Sequence, residues 1–170
     1  MNSYADSTVP LSENSGVQKT PPPVGRILAL DLGKKRIGIA ISDALRITAQ
    51  GLDTLYRTRI REDLDALAKL IEEREVTWIV LGDPFHMSGR ESRQQVYTHE
   101  FGERLAEYTG IGIDYWDERL TSAEAERVLK SSGISIEKRA RAVDKLAAVL
   151  LLESYLDRLN YRMQEEAAEA

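Results

Sequence analysis

Residues 26–43 read RILALDLGKKRIGIAISD, two apolar, β-branched runs joined by a Gly-Lys-Lys-Arg turn, and one acid, Asp31, stands inside the first run. The alternation predicts a hairpin of two strands with the tight turn at Gly33. An aspartate disfavours the strand that holds it and brings a charge to the edge of the core, so something must compensate it. The ordinary compensation is local: Asp31 caps the turn or pairs with Lys34, Lys35 or Arg36. The other is functional.

Two further acids occupy comparable places. Asp117 and Glu118 end the run IDYW, where parallel-type sheets put their chemistry in the loops beyond the strands. Neighbours in extended chain point to opposite faces, so only one of this pair can reach a common site, and the other serves as a helix-terminal acid or salt-bridge partner. Asp144 lies in RARAVDKLAAVLLLESYLD, beside a helical stripe of Val143, Ala147, Leu150, Leu151 and Ser154. Alone it is a solvated flank that Lys145 or Arg141 neutralises.

The elements around these acids follow from periodicity. A third strand is expected within Thr48–Tyr56 and an amphipathic helix over 61–74, with Leu64, Leu67, Ala68 and Ile71 on one face. VTWIVL, Val76–Leu81, is a buried strand that Gly82-Asp83-Pro84 stops. A second helix spans Glu91–Tyr108, with Val96, Phe101, Leu105 and Tyr108 facing inward, and Ile111–Trp116 is another strand. Thr121 with Glu124 forms a capping box for a helix that Gly133 ends, and a last helix runs from about Glu137 to Leu159. The result is an α/β fold: a five-stranded mixed sheet, three antiparallel N-terminal strands followed by βα units, with helices packed on it.

If the first strand is central, Asp31, the Asp117-Glu118 corner and Asp144 meet at one edge of the sheet. Converging carboxylates repel unless a cation joins them. The 170 residues include no cysteine and two histidines, His86 and His99, so any metal is held largely by carboxylates. Hard oxygen donors select Mg²⁺ or Mn²⁺, which keep waters and bind phosphates, and the chemistry they suit is phosphoryl transfer.

The overall charge of −5 does not advertise nucleic-acid binding. Locally the balance reverses, since residues 130–145 hold five basic and two acidic side chains, Glu137 and Asp144. Together with Lys34, Lys35 and Arg36, they can hold a phosphate backbone with little sequence information. No aromatic stripe for single strands is evident. Residues 1–25 have the Ser-, Asn- and Pro-rich composition of a solvated tail, the folded domain is expected over 26–160, and 161–170 form a second tail. With no apolar span and no secretory leader, a soluble, cytoplasmic protein is expected.

Four blocks in order, ALDLGKKRIGIAISD, LGDPFHMSG, DERLTSAEAERVL and RARAVDKLAAVLLLESYLD, make Arg26–Leu159 resemble the YqgF family of pre-16S rRNA nucleases, also described as Holliday junction resolvase-like proteins. The resemblance implies a ribonuclease H-like fold and carries metal-binding, catalytic acids onto Asp31, Glu118 and Asp144, with Asp117 as reserve ligand. It implies an endonuclease acting on structured RNA, in 5′-end maturation of pre-16S rRNA, with a pre-ribosomal particle as partner and a monomer or homodimer as the working form. Arg119 meets a phosphate, orients a carboxylate or forms a plain salt bridge, and Lys34, Lys35, Arg36, Lys138, Arg139 and Arg141 are the expected substrate contacts, the alternative for the helix cations being a solvated helix end. The sequence departs from the family pattern at GDPFHMSGRES, which leaves Asp83 between extra ligand and turn residue and His86 and Met87 between groove and packing, and at DKLAA. Branched DNA is the competing substrate. A non-catalytic RNA-binding assembly factor and, from the likeness of DLGKKRIGIA to the phosphate loop of actin-like ATPases, a nucleotide-binding protein are the competing classes.

Overall fold

The computed structural model describes residues 23–84, 90–117, 127, 130, 133 and 135–170. Strands β1 (Arg26–Leu32) and β2 (Arg36–Ser42) pair antiparallel around the turn at Gly33, whose amide donates to the Arg36 carbonyl at 2.9 Å. A Cβ on Gly33 would lie 2.6 Å from that carbonyl oxygen, so the close return of the chain requires glycine there.

The expected third strand is divided in two, β3 (Ala49–Gly51) and β4 (Leu55–Tyr56), both antiparallel to β2. Ala40 pairs with Gly51 and Ile37 with Leu55, so four steps along one strand oppose three along the other. This extra residue is a bulge, and it makes the sheet six-stranded instead of five-stranded. β5 (Val76–Asp83) runs parallel to β1, and β6 (Ile113–Asp117) parallel to β5, giving the order β3-β2-β1-β5-β6 with β1 central. β5 passes through Gly82 and Asp83, because neither residue breaks a parallel pairing that Pro84 then ends.

Helix α1 (Ile60–Glu73) buries Leu64, Leu67 and Ile71. Its N-cap, Arg59, makes no side-chain cap bond; instead the buried Asp63 accepts from the Thr58 amide at 3.0 Å and from Arg57 Nε at 3.2 Å. Helix α2 (Arg93–Thr109) is capped by Ser92, which accepts from the Gln95 amide, and ends at Gly110 with φ 72°. It buries Thr98, Phe101, Gly102 and Leu105, whereas Val96 and Tyr108, expected inward, are exposed. Val96 lies about 140° around the helix from Phe101, and the Tyr108 hydroxyl donates to Asp65 on α1 at the surface.

Helix α3 (Ile136–Glu169) starts at its Ser135 cap and continues ten residues beyond Leu159. Residues 161–169, expected as a tail, are helical because Arg, Met, Gln, Glu and Ala are strong helix formers that need no apolar stripe to continue a nucleated helix. The N-terminal segment before residue 23 and the capping box at Thr121 and Glu124 lie outside the described residues. Arg127 and Lys130 are helical, and Gly133, at φ 67°, has the left-handed conformation of a helix terminus.

Side-chain alternation gives the sheet two different faces. Leu28, Leu30, Leu32, Ile37, Ile39, Ile41, Ile79 and Leu81 cluster under α1 and α2. On the other face Ile27, Ala29, Ala40, Trp78 and Val80 meet Ala148, Leu151, Leu152, Tyr155 and Leu156 of α3.

Candidate active site

Asp31 continues the Ile27–Ala29 alternation and so belongs to the α3 face, where it is partly buried opposite Gly38 of β2. At Gly38 the backbone of α3 touches the sheet. A Cβ there would lie 2.2 Å from the Asp144 carbonyl oxygen, and one on Gly51 would lie 2.6 Å from the Lys145 side chain. Gly38 therefore lets the helix backbone settle onto β2 at Asp144, opposite Asp31, and Gly51 leaves room over β3 for the Lys145 side chain. The two acids most separated in the chain become neighbours of one glycine.

Asp144 is held by an ion pair. Its Oδ2 accepts from Arg36 Nε at 2.6 Å, both side chains remaining partly exposed. That hydrogen bond raises the Arg36 pKa above its ordinary value, with burial opposing it. The partner is thus neither Lys145 nor Arg141 on the same helix but a strand residue 108 positions away. Arg36, expected to contact substrate directly, has its Nε committed to orienting this carboxylate.

Along β6, Asp114 and Trp116 face α3. Ile113 and Tyr115 face α2, and Asp117 follows them, exposed and in register with Asp83 of β5. Asp117 therefore stands on the opposite side of the sheet from Asp31 and Asp144. Asp83 is on that side too: it accepts from Gln95 Nε2 at 3.3 Å and lies 3.1 Å from His99 Nε2. Its place is the end of a strand facing α2, not a free turn. His99 stacks on Tyr115 at 4.1 Å, and burial pushes the Tyr115 phenol up to about 12.

Glu118, Arg119, His86 and Met87 lie outside the described residues. Lys34 and Lys35 are exposed at the hairpin turn, Lys138 and Arg141 are exposed on the first turns of α3, and Arg139 is half-buried. A hollow of about 420 Å³ opens beside Asp144, lined by Arg36, Lys130, Arg139 and Val143 among others.

Sequence reading missed Asp114, a second acid on the α3 face. It is 4% exposed and accepts from the Tyr155 hydroxyl at 2.5 Å. Burial first, and this hydrogen bond second, push the Tyr155 phenol far above its ordinary range. Trp116 stands edge-on to Tyr155 and donates to Ser154 Oγ at 3.1 Å, so β6 is tied to α3 at two points. The alternation of Ile113, Asp114, Tyr115 and Trp116 carried a signal for Asp114, but its partner 41 residues on did not show in any local pattern.

Among the described residues no three acidic or histidine side chains converge on one point. Asp31 and Asp144 share one face at one glycine, and carboxylate oxygens are donors of the kind that hard ions such as Mg²⁺ or Mn²⁺ take, not soft metals.

The fold is shared with known proteins. The T. thermophilus RuvC bound to a Holliday junction matches with a TM-score of 0.50 and 11% identity over 79% of this chain and 96% of that one. The Fowlpox virus resolvase in complex with Holliday junction DNA matches at 0.51 and 12% over 79% and 98%. At these identities the likeness shows the fold alone, the ribonuclease H-like fold of the resolvases. A relative from Koribacter versatilis, named "Putative pre-16S rRNA nuclease", is 49% identical over 83% of this chain and 92% of its own length. One of the same name from Syntrophomonas wolfei is 47% identical over 78% and 94%. The family model described as RuvX, Holliday junction resolvase, matches residues 25–158, and the chain belongs to that family.

Proposed function

We propose that this protein is a metal-dependent endonuclease that hydrolyses phosphodiester bonds in structured RNA and matures the 5′ end of pre-16S rRNA. The observation that carries the reading is the seating of the Asp144 backbone on Gly38, the strand partner of Asp31, which puts two acids from distant parts of the chain on one face of the sheet. The name shared by the relatives at 42–49% identity supports the RNA substrate.

Asp31 and Asp144 would hold the ion, with Glu118, two residues beyond the α3-facing Trp116, as third ligand. Asp117, expected as a reserve ligand, faces the opposite side of the sheet and is left out of this set. When bound, Mg²⁺ or Mn²⁺ supplies an activated water and charge stabilisation for the leaving oxygen. Arg36 keeps the Asp144 carboxylate aimed through its 2.6 Å contact and offsets the repulsion between the two acids. Lys34, Lys35, Lys138, Arg139 and Arg141, with Arg119, hold the sugar-phosphate backbone by charge, which positions the strand without reading its sequence. Among the described residues no helix is long and apolar enough to cross a membrane. The reading puts the protein in the cytoplasm, with the pre-ribosomal particle, as a monomer or homodimer.

The test offers purified protein a precursor 16S rRNA fragment and a four-way DNA junction in parallel, each with Mg²⁺ or Mn²⁺. Cleavage of the RNA is the expected result. Cleavage of the junction alone replaces RNA by branched DNA as the substrate, and RNA that is bound but never cut replaces the nuclease by an assembly factor.

A further inference from the structure

The basic residues at the start of α3 divide between two sides of the helix. Arg36, Lys130 and Arg139 line the hollow that contains Asp144. Lys138, Arg141 and Lys145, at helical spacing along one stripe, line a second hollow of about 440 Å³ with Asp53, Thr54 and Tyr56. That volume lies in the range of about 300–1,000 Å³ typical of small-ligand sites. Three cations face one acid, Asp53, so the hollow keeps an excess of positive charge.

Its aromatic member is placed by the β bulge. Tyr56 pairs with Arg36 across β2 and therefore points to the α3 face, two strand spacings or about 10 Å from β1. Three aromatic side chains are prominently exposed among the described residues, at 50–53%. Tyr108 donates to Asp65, and Tyr161 lies under the Arg158 guanidinium at 5.6 Å. Tyr56 alone of the three stands in a basic hollow. Thr54 Oγ1 lies 3.4 Å from the Arg141 carbonyl oxygen, which ties the loop before Tyr56 to the helix and keeps the two walls together.

We propose that this hollow is a subsite for one unpaired nucleotide of the substrate strand, with Tyr56 stacking on its base and Lys138, Arg141 and Lys145 meeting its flanking phosphates. The proposal rests on the nuclease reading and adds a strand preference to it. Every base has a π-face, so the subsite is tolerant of sequence but selects single-stranded over paired flanks. The occupant is a neighbour of the reacting nucleotide, since Tyr56 is separated from Asp31 by β2.

The test measures binding of a labelled single-stranded oligoribonucleotide to the full chain by anisotropy, in chelator so that no strand is cut. Tyr56→Ala weakens binding about tenfold, and Tyr56→Phe stays within about twofold of wild type. A 4-thiouridine strand crosslinks to the wild-type protein at or beside Tyr56. Unchanged affinity in Tyr56→Ala, or a crosslink that maps elsewhere, overturns the subsite. Adenosine monophosphate binding as tightly as the strand overturns the strand as its occupant. Cleavage lost in Asp31→Asn together with unchanged strand binding in Tyr56→Ala removes the subsite and keeps the nuclease. Weakened binding in Tyr56→Ala with no cleavage of either polymer by wild type does the reverse.

Discussion

The two faces of the sheet are built from different residues and do different work. Under α1 and α2 the sheet presents long aliphatic chains, Leu28, Leu30, Ile37, Ile39 and Leu81, that keep the helices at the distance of a full side-chain layer. Under α3 it presents Ala29, Gly38, Ala40 and Gly51, and the helix backbone comes into contact with the strands. Close approach at Gly38 seats Asp144 over the partner of Asp31 and within reach of Arg36, while Ile27, Trp78 and Val80 fill the rest of this face against α3. The aliphatic face keeps its helices a side-chain layer away; the small-residue face lets α3 down onto the strands.

Both faces should lose stability when large buried chains are truncated. Leu30→Ala on one side and Leu151→Ala on the other are each fully buried, and each should lower unfolding free energy by about 2–5 kcal/mol in urea melts. A large difference between them would show that one face contributes little to the core.

Gly38→Ala separates the faces more sharply. The new methyl meets the Asp144 carbonyl, so the helix must shift, at about 1–3 kcal/mol by thermal or urea unfolding. The loss of activity should exceed what that destabilisation explains, because the shift moves Asp144 relative to Asp31. Gly110→Ala, at a left-handed residue with open space around it, should destabilise without that loss.

Tyr155→Phe removes the donor to the buried Asp114 and should cost about 1–3 kcal/mol, leaving the carboxylate unsatisfied. The two raised phenols add a pH effect. Below pH 10 the native and unfolded chains both keep these protons; above it the unfolded chain releases them first, so stability falls, through about pH 12 for Tyr115. Denaturant midpoints measured between pH 8 and 11 should stay flat and then drop, and Tyr155→Phe should drop less.

Much of this was legible in the sequence. Asp31 announced itself as a charge in an apolar strand, and the 3.6-residue and two-residue periods placed α1, β5 and the central β1. What stayed hidden depends on which helix crosses which strand, and at what residue. Nothing local to Asp144 pointed to Arg36, because the crossing is set by Gly38 and Gly51 together. Tyr56 read as the end of one strand, and a one-residue bulge turned it onto the α3 face beside Arg36. The helix seemed to end at Leu159 because its apolar stripe ends there, while backbone propensity carried it on. Asp117 and Glu118 could be divided between faces by alternation, but Asp117 could not be assigned to one until Asp114 and Trp116 were seen against α3.

The central claim is that the α3 face does the chemistry and the α2 face does not, and paired carboxamide substitutions test it most directly. Cleavage of the precursor rRNA fragment in Mg²⁺ would be compared among wild type, Asp31→Asn, Asp144→Asn and Asp117→Asn, with thermal melts alongside. The account predicts a fall of more than about a hundredfold in the first two variants, with the fold intact, and near wild-type cleavage in Asp117→Asn. Cleavage that survives Asp31→Asn, or that is lost only with Asp117, would contradict it.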